Sequence, residues 1–155
     1  MTEASPLDPP NAVLFACNSN RVRSPMAEAL LRRFAGDRIY VASCGLRLRA
    51  GGQGAPDSDI DPFVHAVMAE IGCDLAEHHA KTFDQLDDSS FDLVVSLTPE
   101  AQHRAVEMSR GRAAELEFWP IFDPTLAEGS REARLAAYRE VRDALADRIV
   151  RRFRR

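Results

Sequence analysis

The sequence predicts an α/β fold, a single three-layer domain in which helices cover both faces of a four-stranded parallel sheet. Three observations support this prediction. Short apolar runs alternate with longer stretches that repeat apolar residues at helical spacing, as strand–helix units do. The chain has 155 residues, enough for one domain with a core, and shows no internal repeat. The first apolar run also leads through a short polar loop directly into a helix start.

The elements are expected in regular alternation. Residues 1–10 are polar and proline-rich and predict a loose tail, so the domain is expected over residues 11–155. Strands are predicted over residues 12–17, 38–43, 91–97 and 117–119, and helices over residues 24–35, 61–72, 98–111 and 130–149. A glycine-rich loop is expected over residues 46–60, and an irregular stretch with one short helical turn over residues 74–90.

The expected strand order is 2-1-3-4, the arrangement of a small doubly wound sheet. In such sheets a ligand lies beyond the carboxyl ends of the strands, where the strand order reverses. That point falls beside the first strand, which ends at Cys17. Ser43, Thr98 and the loop 120–129 follow the other strands and are expected at the same edge.

Composition excludes several classes of function. The formal net charge of −4 does not indicate a nucleic-acid-binding protein. No apolar run reaches the length of a membrane span, and the N-terminal residues lack the apolar stretch of a signal peptide. Three widely spaced cysteines do not form a disulfide framework, and they suit a reducing cytoplasm. No cofactor is implied, and a monomer or weak dimer is expected. A zinc site from Cys73, His78 and His79 lacks a fourth ligand at normal spacing.

The loop that joins the first strand to the first helix has the features of an anion-binding site. Its backbone N–H groups, in residues 18–22 (Asn18, Ser19, Asn20, Arg21 and Val22), are expected to point inward, and the helix dipole adds positive potential. Cys17 lies at the floor, where the same potential favours a nucleophilic thiolate. Arg23 supplies a planar fork for a tetrahedral oxyanion. Ser24 and Pro25 predict the helix start, with Ser24 as the N-cap.

Cys17, Arg23 and Ser24 form a Cys-x5-Arg-Ser pattern. This stretch resembles the active-site loop of the low-molecular-weight protein tyrosine phosphatases and their relatives, the thioredoxin-coupled arsenate reductases. The resemblance implies a phosphatase-I-like fold, with Cys17 as the nucleophile and a Ser24 hydroxyl that hydrogen-bonds the sulfur. It also implies that Asn20 holds the shape of the loop, where an ordinary left-handed loop asparagine is the alternative.

Asp123 is the candidate general acid. It lies in the loop after the fourth strand, between Phe122 and Pro124, where we expect an apolar setting that favours the protonated carboxyl group. The resemblance implies the same role, because the phosphatases carry an Asp-Pro acid in their late loop. The alternative is a turn residue before proline. Of the other Asp-Pro pairs, Asp8 lies in the tail and Asp61 is expected to cap a helix.

Two further segments extend the resemblance, which runs from about residue 12 to about residue 149. Residues 41–45 resemble a Ser-Ala-Gly segment, in which Ser43 would support Asn20. Residues 77–81 resemble a His-x-Ala-Arg segment, with His78 in the same supporting role and Lys81 in place of the usual arginine.

The chain departs from the phosphatase pattern at several positions. Val22 stands where many members carry a second cysteine, and Cys44 is a candidate to protect Cys17 instead. Ser19 replaces a glycine, and Arg21 adds a charge to the loop. No aromatic residue follows Asp123 or stands at Arg47, Leu48 and Arg49, so a phosphotyrosine ring has less to stack on. The two arginines instead favour acidic or doubly charged substrates.

The sequence therefore predicts a cysteine-dependent phosphomonoester hydrolase that forms a cysteinyl-phosphate intermediate. Its substrate would be a phosphorylated protein or a small phosphomonoester. The first alternative is an arsenate reductase on the same fold, but that activity needs two further cysteines near residues 82–90, where this chain has none. The second alternative is a non-catalytic phosphate-binding or regulatory module.

Overall fold

The computed structural model describes residues 10–48, 60–86, 90–111 and 113–154. Four strands are present, β1 (Ala12–Cys17), β2 (Tyr40–Gly45), β3 (Leu93–Ser96) and β4 (Glu115–Phe118). Four α-helices accompany them, α1 (Arg23–Ala35), α2 (Pro62–Ala69), α3 (Pro99–Met108) and α4 (Arg131–Phe153). Short 3-10 turns occupy Gly36–Arg38, Phe83–Gln85 and Pro124–Leu126.

Some sequence expectations fall outside the described residues. They are residues 1–9 of the tail with Asp8, residues 49–59 of the glycine-rich loop with Arg49, and residues 87–89 of the irregular stretch. None of the helices within the described ranges is both long and apolar enough to cross a membrane.

The sheet is parallel throughout, and its order β2-β1-β3-β4 confirms the prediction. Alternation along β1 separates two clusters of buried side chains. Val13, Phe15 and Cys17 join the cluster that contains buried residues of α1, α2 and α4. Leu14 and Ala16 join the cluster on the other side, with residues of α3. Helices therefore cover both faces of the sheet.

The helices end and begin largely as the sequence indicated. Asp61, Thr98 and Ser130 each accept a hydrogen bond from a backbone N–H in the first turn of the following helix, which is what an N-cap side chain does. Gly36, at φ 60°, ends α1. The apolar residues predicted for the inner face of the last helix are all buried: Leu135, Tyr138, Val141, Leu145 and Ile149.

Several boundaries differ from prediction. β4 begins at Glu115 rather than residue 117, and α4 continues to Phe153 rather than ending at residue 149. β2 begins at Tyr40 rather than residue 38, because residues 36–38 form a 3-10 turn in which Arg38 Nε donates to the Ala35 carbonyl oxygen over 3.0 Å. The first helix begins at Arg23 with Val22 as its N-cap residue, so the assignment of Ser24 as the N-cap was wrong. Ser24 is already helical, and its hydroxyl group points to Cys17 instead of to the helix backbone.

Candidate active site

Cys17 ends β1 at the floor of a cavity of about 320 Å³, a size within the range of small-molecule sites. Arg23, Asp123 and the loop residues Ser19 and Val22 line the same cavity. The side chain of Cys17 is almost fully buried, and its Sγ atom lies 2.9 Å from Ser24 Oγ. The structure therefore brings together the predicted nucleophile and cation, from the loop after β1, and the predicted acid, from the loop after β4.

The loop after Cys17 is held by Asn20, which adopts the left-handed backbone conformation at φ 58°. Its side-chain amide nitrogen donates to Ser24 Oγ over 2.8 Å and to Ser43 Oγ over 3.0 Å. Its side-chain oxygen accepts from the Lys81 backbone N–H, and its carbonyl oxygen lies 3.1 Å from His78 Nε2. Ser43 and His78 thus contact Asn20, as the resemblance implied, whereas Lys81 contributes its backbone and not its charge.

β2 approaches the loop so closely that only glycine fits at its end. A Cβ atom on Gly45 would lie 2.8 Å from the Asn20 nitrogen and 2.9 Å from the Asn18 carbonyl oxygen, and neither backbone atom moves easily. On the other side, Thr98 Oγ1 donates to Asn18 Oδ1 over 2.7 Å, which ties the loop to the start of α3. The Asn18 and Asn20 side chains therefore hold the loop and do not line the cavity.

Glu28 completes the support and was missed in the sequence. It lies one helical turn after Ser24 on α1 and is only 7% exposed. One carboxylate oxygen accepts from Ser43 Oγ and lies 3.9 Å from His78 Nδ1, and the other lies 2.6 Å from Arg32 Nη2. The i, i+4 spacing from Ser24 was the available signal, since it puts both side chains on one buried face.

Arg23 leaves the first turn of α1 and reaches the loop after β4. Its Nη1 donates to the Ile121 carbonyl oxygen over 2.9 Å, and its Nη2 lies 3.9 Å from Asp123 Oδ2. Asp123 Oδ1 accepts from the Thr125 backbone N–H and hydroxyl group over 2.9 and 2.6 Å. The guanidinium and the carboxyl group therefore lie beside each other in the cavity wall.

The expected apolar setting of Asp123 was wrong. The carboxyl group has polar partners in Thr125 and Arg23, because the Asp-Pro-Thr sequence folds back into a 3-10 turn that Asp123 caps. Phe122, its neighbour in sequence, is 53% exposed and does not enclose it.

Three further residues of the cavity wall were not predicted, namely Asp61, Arg134 and Tyr138. Tyr138 donates its hydroxyl hydrogen to Asp61 Oδ2 over 3.0 Å, which joins α4 to the start of α2. Burial, together with the nearby Asp61 carboxylate, raises the pKa of Tyr138 well above its usual range, so it remains a protonated donor. Asp61 also caps α2 as expected, by accepting from the Phe63 N–H.

Cys44 does not face the nucleophile. It pairs with Ala16 in the sheet and lies in the cluster on the α3 side, whereas Cys17 lies in the cluster on the opposite face. Burial is the main cause that raises the pKa of the Cys44 thiol far above its ordinary value, and the nearby Cys17 adds to it. This thiol is therefore poorly suited to attack Cys17.

The zinc arrangement considered in the sequence is not assembled. Among the residues that the structure describes, no three histidine, cysteine or acidic side chains lie close enough to hold a metal ion. His78 instead contacts Asn20 and Glu28.

Comparison with known proteins places this geometry in a class of cysteine-dependent enzymes built on a parallel α/β sheet. Residues 12–153 match the sequence model of the low molecular weight phosphotyrosine protein phosphatases, and the chain belongs to this family. The structure is similar to that of the Erwinia amylovora tyrosine phosphatase amsI, at a TM-score of 0.70 and 25% identity, covering 94% of this chain and 95% of that one. It is equally similar to an arsenate reductase in its phosphate-binding state, at a TM-score of 0.70 and 26% identity, covering 91% and 95%.

The sequence relatives carry two different names. An arsenate reductase of Halalkalibacterium halodurans is 32% identical over 88% of this chain and 91% of that protein. A low molecular weight protein-tyrosine-phosphatase of Streptomyces coelicolor is 34% identical over 76% of this chain and 72% of that protein. Family membership therefore does not separate phosphatase from reductase activity.

Proposed function

We propose that this protein is a cysteine-dependent phosphomonoester hydrolase. The observation that carries the proposal is the presence of Cys17, Arg23 and Asp123 in one cavity, with the Ser24 hydroxyl group 2.9 Å from the cysteine sulfur. These groups provide a nucleophile, a cation for the phosphoryl oxygens and a proton donor, which together are what phosphoryl transfer through a cysteine requires.

The proposed reaction has two steps. The Cys17 thiolate attacks phosphorus, the sulfur–phosphorus bond forms, and the bond to the leaving oxygen breaks as Asp123 donates its proton to that oxygen. Asp123 then takes a proton from water, which attacks phosphorus and releases inorganic phosphate and the thiolate. Arg23 and the loop N–H groups hold the negative charge of the phosphoryl oxygens throughout.

Ser24 assists the departure of the sulfur in the second step. Its oxygen accepts a hydrogen bond from Asn20, and its own hydrogen faces two acceptors, the Cys17 sulfur at 2.9 Å and the Cys44 carbonyl oxygen at 3.3 Å. A thiolate is the nearer and the more strongly negative of the two, so it attracts this hydrogen. A hydroxyl donor at this distance stabilises the negative charge on the sulfur as the intermediate breaks down. The buried network of Asn20, Ser43, Glu28 and His78 positions the loop and does not touch the substrate.

The substrate is a phosphorylated protein or a small phosphomonoester. The three free cysteines suit a reducing compartment, and we place the protein in the cytoplasm on that ground. Thr125 and Arg134 line the cavity beside Asp123, and no aromatic residue other than Tyr138 stands among its described lining. This supports phosphatase chemistry better than a strong preference for phosphotyrosine.

Arsenate reduction is the second candidate, since several relatives carry that name. Reduction of arsenate to arsenite takes two electrons, which a relay of thiols must supply. Cys44 is buried on the far face of the sheet, and Cys73 lies in a different cavity beside His65. No second thiol therefore lines the described part of the Cys17 cavity, which favours hydrolysis.

Hydrolysis of para-nitrophenyl phosphate between pH 5 and 8 tests the proposal, with the wild type, Cys17→Ser and Asp123→Ala compared. We expect no turnover in Cys17→Ser and a loss of about 10²–10⁴-fold in Asp123→Ala. A parallel assay supplies arsenate and thioredoxin. Arsenate reduction without phosphatase turnover would assign the reductase activity, and silence in both assays would leave a phosphate-binding module.

A further inference from the structure

We propose that the Cys17 cavity contains a second anion subsite, formed by Arg21 and Arg134, which selects phosphomonoesters that carry another anionic group. This inference rests on the proposed function and names its substrate class. Both arginines line the cavity together with Cys17 and Arg23. They reach it from different elements, Arg21 from the Cys17 loop and Arg134 from the first turns of α4.

Arg21 provides the stronger evidence for the subsite. Its side chain is only 6% exposed, and its Nε atom is buried without a hydrogen-bond partner. The backbone is fixed, because the Arg21 carbonyl oxygen accepts from the Asp61 N–H over 3.2 Å. A deeply buried guanidinium group with an unpaired Nε–H is unfavourable, and an anion bound in the cavity that Arg21 lines would offset its charge.

Arg134 is held in place without being neutralised. Its guanidinium carbon lies 4.7 Å from the centre of the Phe63 ring, an attractive cation–π contact. No carboxylate among the described residues lies within ion-pair distance of it. Its neighbour Arg131 stacks on the same ring at 5.3 Å but does not line the cavity. Arg134 and Arg131 therefore form a matched pair for mutation, since both stack on Phe63 and only Arg134 lines the cavity.

The cavity contains more guanidinium groups than the one assigned to the scissile phosphoryl group. Its described lining contains three guanidinium groups and two carboxyl groups, those of Asp61 and Asp123. Asp61 opposes an anion, and the Tyr138 hydroxyl and the Phe63 N–H, which donate to its oxygens, offset that repulsion in part. Asp123 carries a proton when it acts as the acid. Arg23 is assigned to the scissile phosphoryl group, so Arg21 and Arg134 are left for a second anionic group of the same substrate.

Equilibrium binding of two non-hydrolysable ligands, methylphosphonate with one anionic group and phosphonoacetate with two, tests the subsite directly. Calorimetry in chloride buffer compares the wild type, Arg134→Gln and the control Arg131→Gln. We expect the wild type and Arg131→Gln to bind phosphonoacetate about tenfold more tightly than methylphosphonate, the gain of one hydrogen bond between charged groups. In Arg134→Gln the two ligands should bind within about threefold of each other. Arg21→Lys keeps the charge but loses the planar fork of the guanidinium group, so its ratio of the two ligand affinities should lie between that of the wild type and that of Arg134→Gln.

Three outcomes would overturn the inference. The first is equal affinity for both ligands in the wild type. The second is a loss of the preference for phosphonoacetate in Arg131→Gln as large as that in Arg134→Gln. The third is a loss of methylphosphonate affinity in Arg134→Gln as large as the loss of phosphonoacetate affinity. The last result would mean that Arg134 serves the phosphoryl group itself. Because these measurements need no turnover, a binding preference without phosphatase activity would leave the subsite standing and reject the proposed hydrolase. Phosphatase activity without a binding preference for phosphonoacetate would reject the subsite and leave the proposed hydrolase standing.

Discussion

The hydroxyl group of Ser24 lies 2.9 Å from the sulfur of Cys17, although the two residues are seven positions apart and Ser24 belongs to a helix. The contact exists because the loop between them turns back on itself at Asn20, the one described non-glycine residue with a positive φ angle. The same hydroxyl group accepts from the Asn20 side chain. One serine therefore connects the conformation of the loop to the charge of the nucleophile.

Ser24→Ala should lower kcat by about 10- to 100-fold with little change in KM, since the hydroxyl group stabilises charge in the transition state more than in the bound substrate. Steady-state kinetics with para-nitrophenyl phosphate provide the measurement. Ser24→Thr keeps the hydroxyl group and should recover part of the rate. An unchanged kcat in Ser24→Ala would show that the Ser24 side chain contributes packing and does not stabilise charge on the Cys17 sulfur.

Glu28→Ala should reduce the free energy of unfolding by about 1–3 kcal/mol, because it leaves Ser43 and Arg32 without their buried acceptor. The control is Asp147→Ala, which removes an exposed i, i+4 pair with Arg151 and should change stability by less than about 0.5 kcal/mol. Urea denaturation measures both. Equal effects in the two variants would contradict a supporting role for Glu28.

Stability in acid should depend on Glu70. Hydrogen bonds from Arg139 and Arg142 lower the pKa of this carboxyl group to about 2 in the folded protein, below its ordinary value. A depressed carboxyl pKa contributes stability that is present above the unfolded pKa and is lost as the pH falls toward the folded pKa. Melting temperatures from pH 5 to pH 2 should therefore fall less steeply in Glu70→Gln than in the wild type. Parallel curves would contradict this prediction.

The Cys44 thiol should not be alkylated under conditions in which the Cys17 thiol is. Its pKa is raised by burial, and its thiol lies on the opposite face of the sheet. Iodoacetamide at neutral pH should label Cys17 and leave Cys44 unmodified in the folded protein, as peptide mass spectrometry reports. The same analysis after peroxide treatment should find no Cys17–Cys44 disulfide. A disulfide in good yield would restore Cys44 as the protecting thiol.

The fold was largely predictable because its signals are local. Apolar runs and helix caps such as Asp61 and Thr98 are visible within a few residues, and strand order follows from general rules for parallel sheets. β2 was misplaced by two residues because a 3-10 turn after Gly36 leaves little mark on the apolar pattern.

The positions of site residues were predictable where a short stretch carried them, either the Cys17 loop or a segment that resembles the family pattern, as for Asp123, Ser43 and His78. Cys17, Arg23 and Ser24 share a loop, but Asp61 and Tyr138 meet across 77 positions of sequence. Each had a sufficient local explanation, a helix cap for Asp61 and a buried helix face for Tyr138, and neither explanation pointed to a cavity. The prediction of an apolar setting for Asp123 was wrong for the same reason. Its partner Arg23 is distant in sequence, whereas its neighbour Phe122 points to solvent.

The central claim is that a phosphoryl group is transferred to Cys17. The most direct measurement is mass spectrometry of Asp123→Ala quenched during turnover of para-nitrophenyl phosphate. This leaving group departs without a proton, so the intermediate still forms, while the missing base slows its hydrolysis. We predict one added phosphoryl group on the peptide that contains Cys17, and none in the Cys17→Ser, Asp123→Ala double variant. Turnover with an unmodified Cys17, or a phosphoryl group on another residue, would contradict the proposed mechanism.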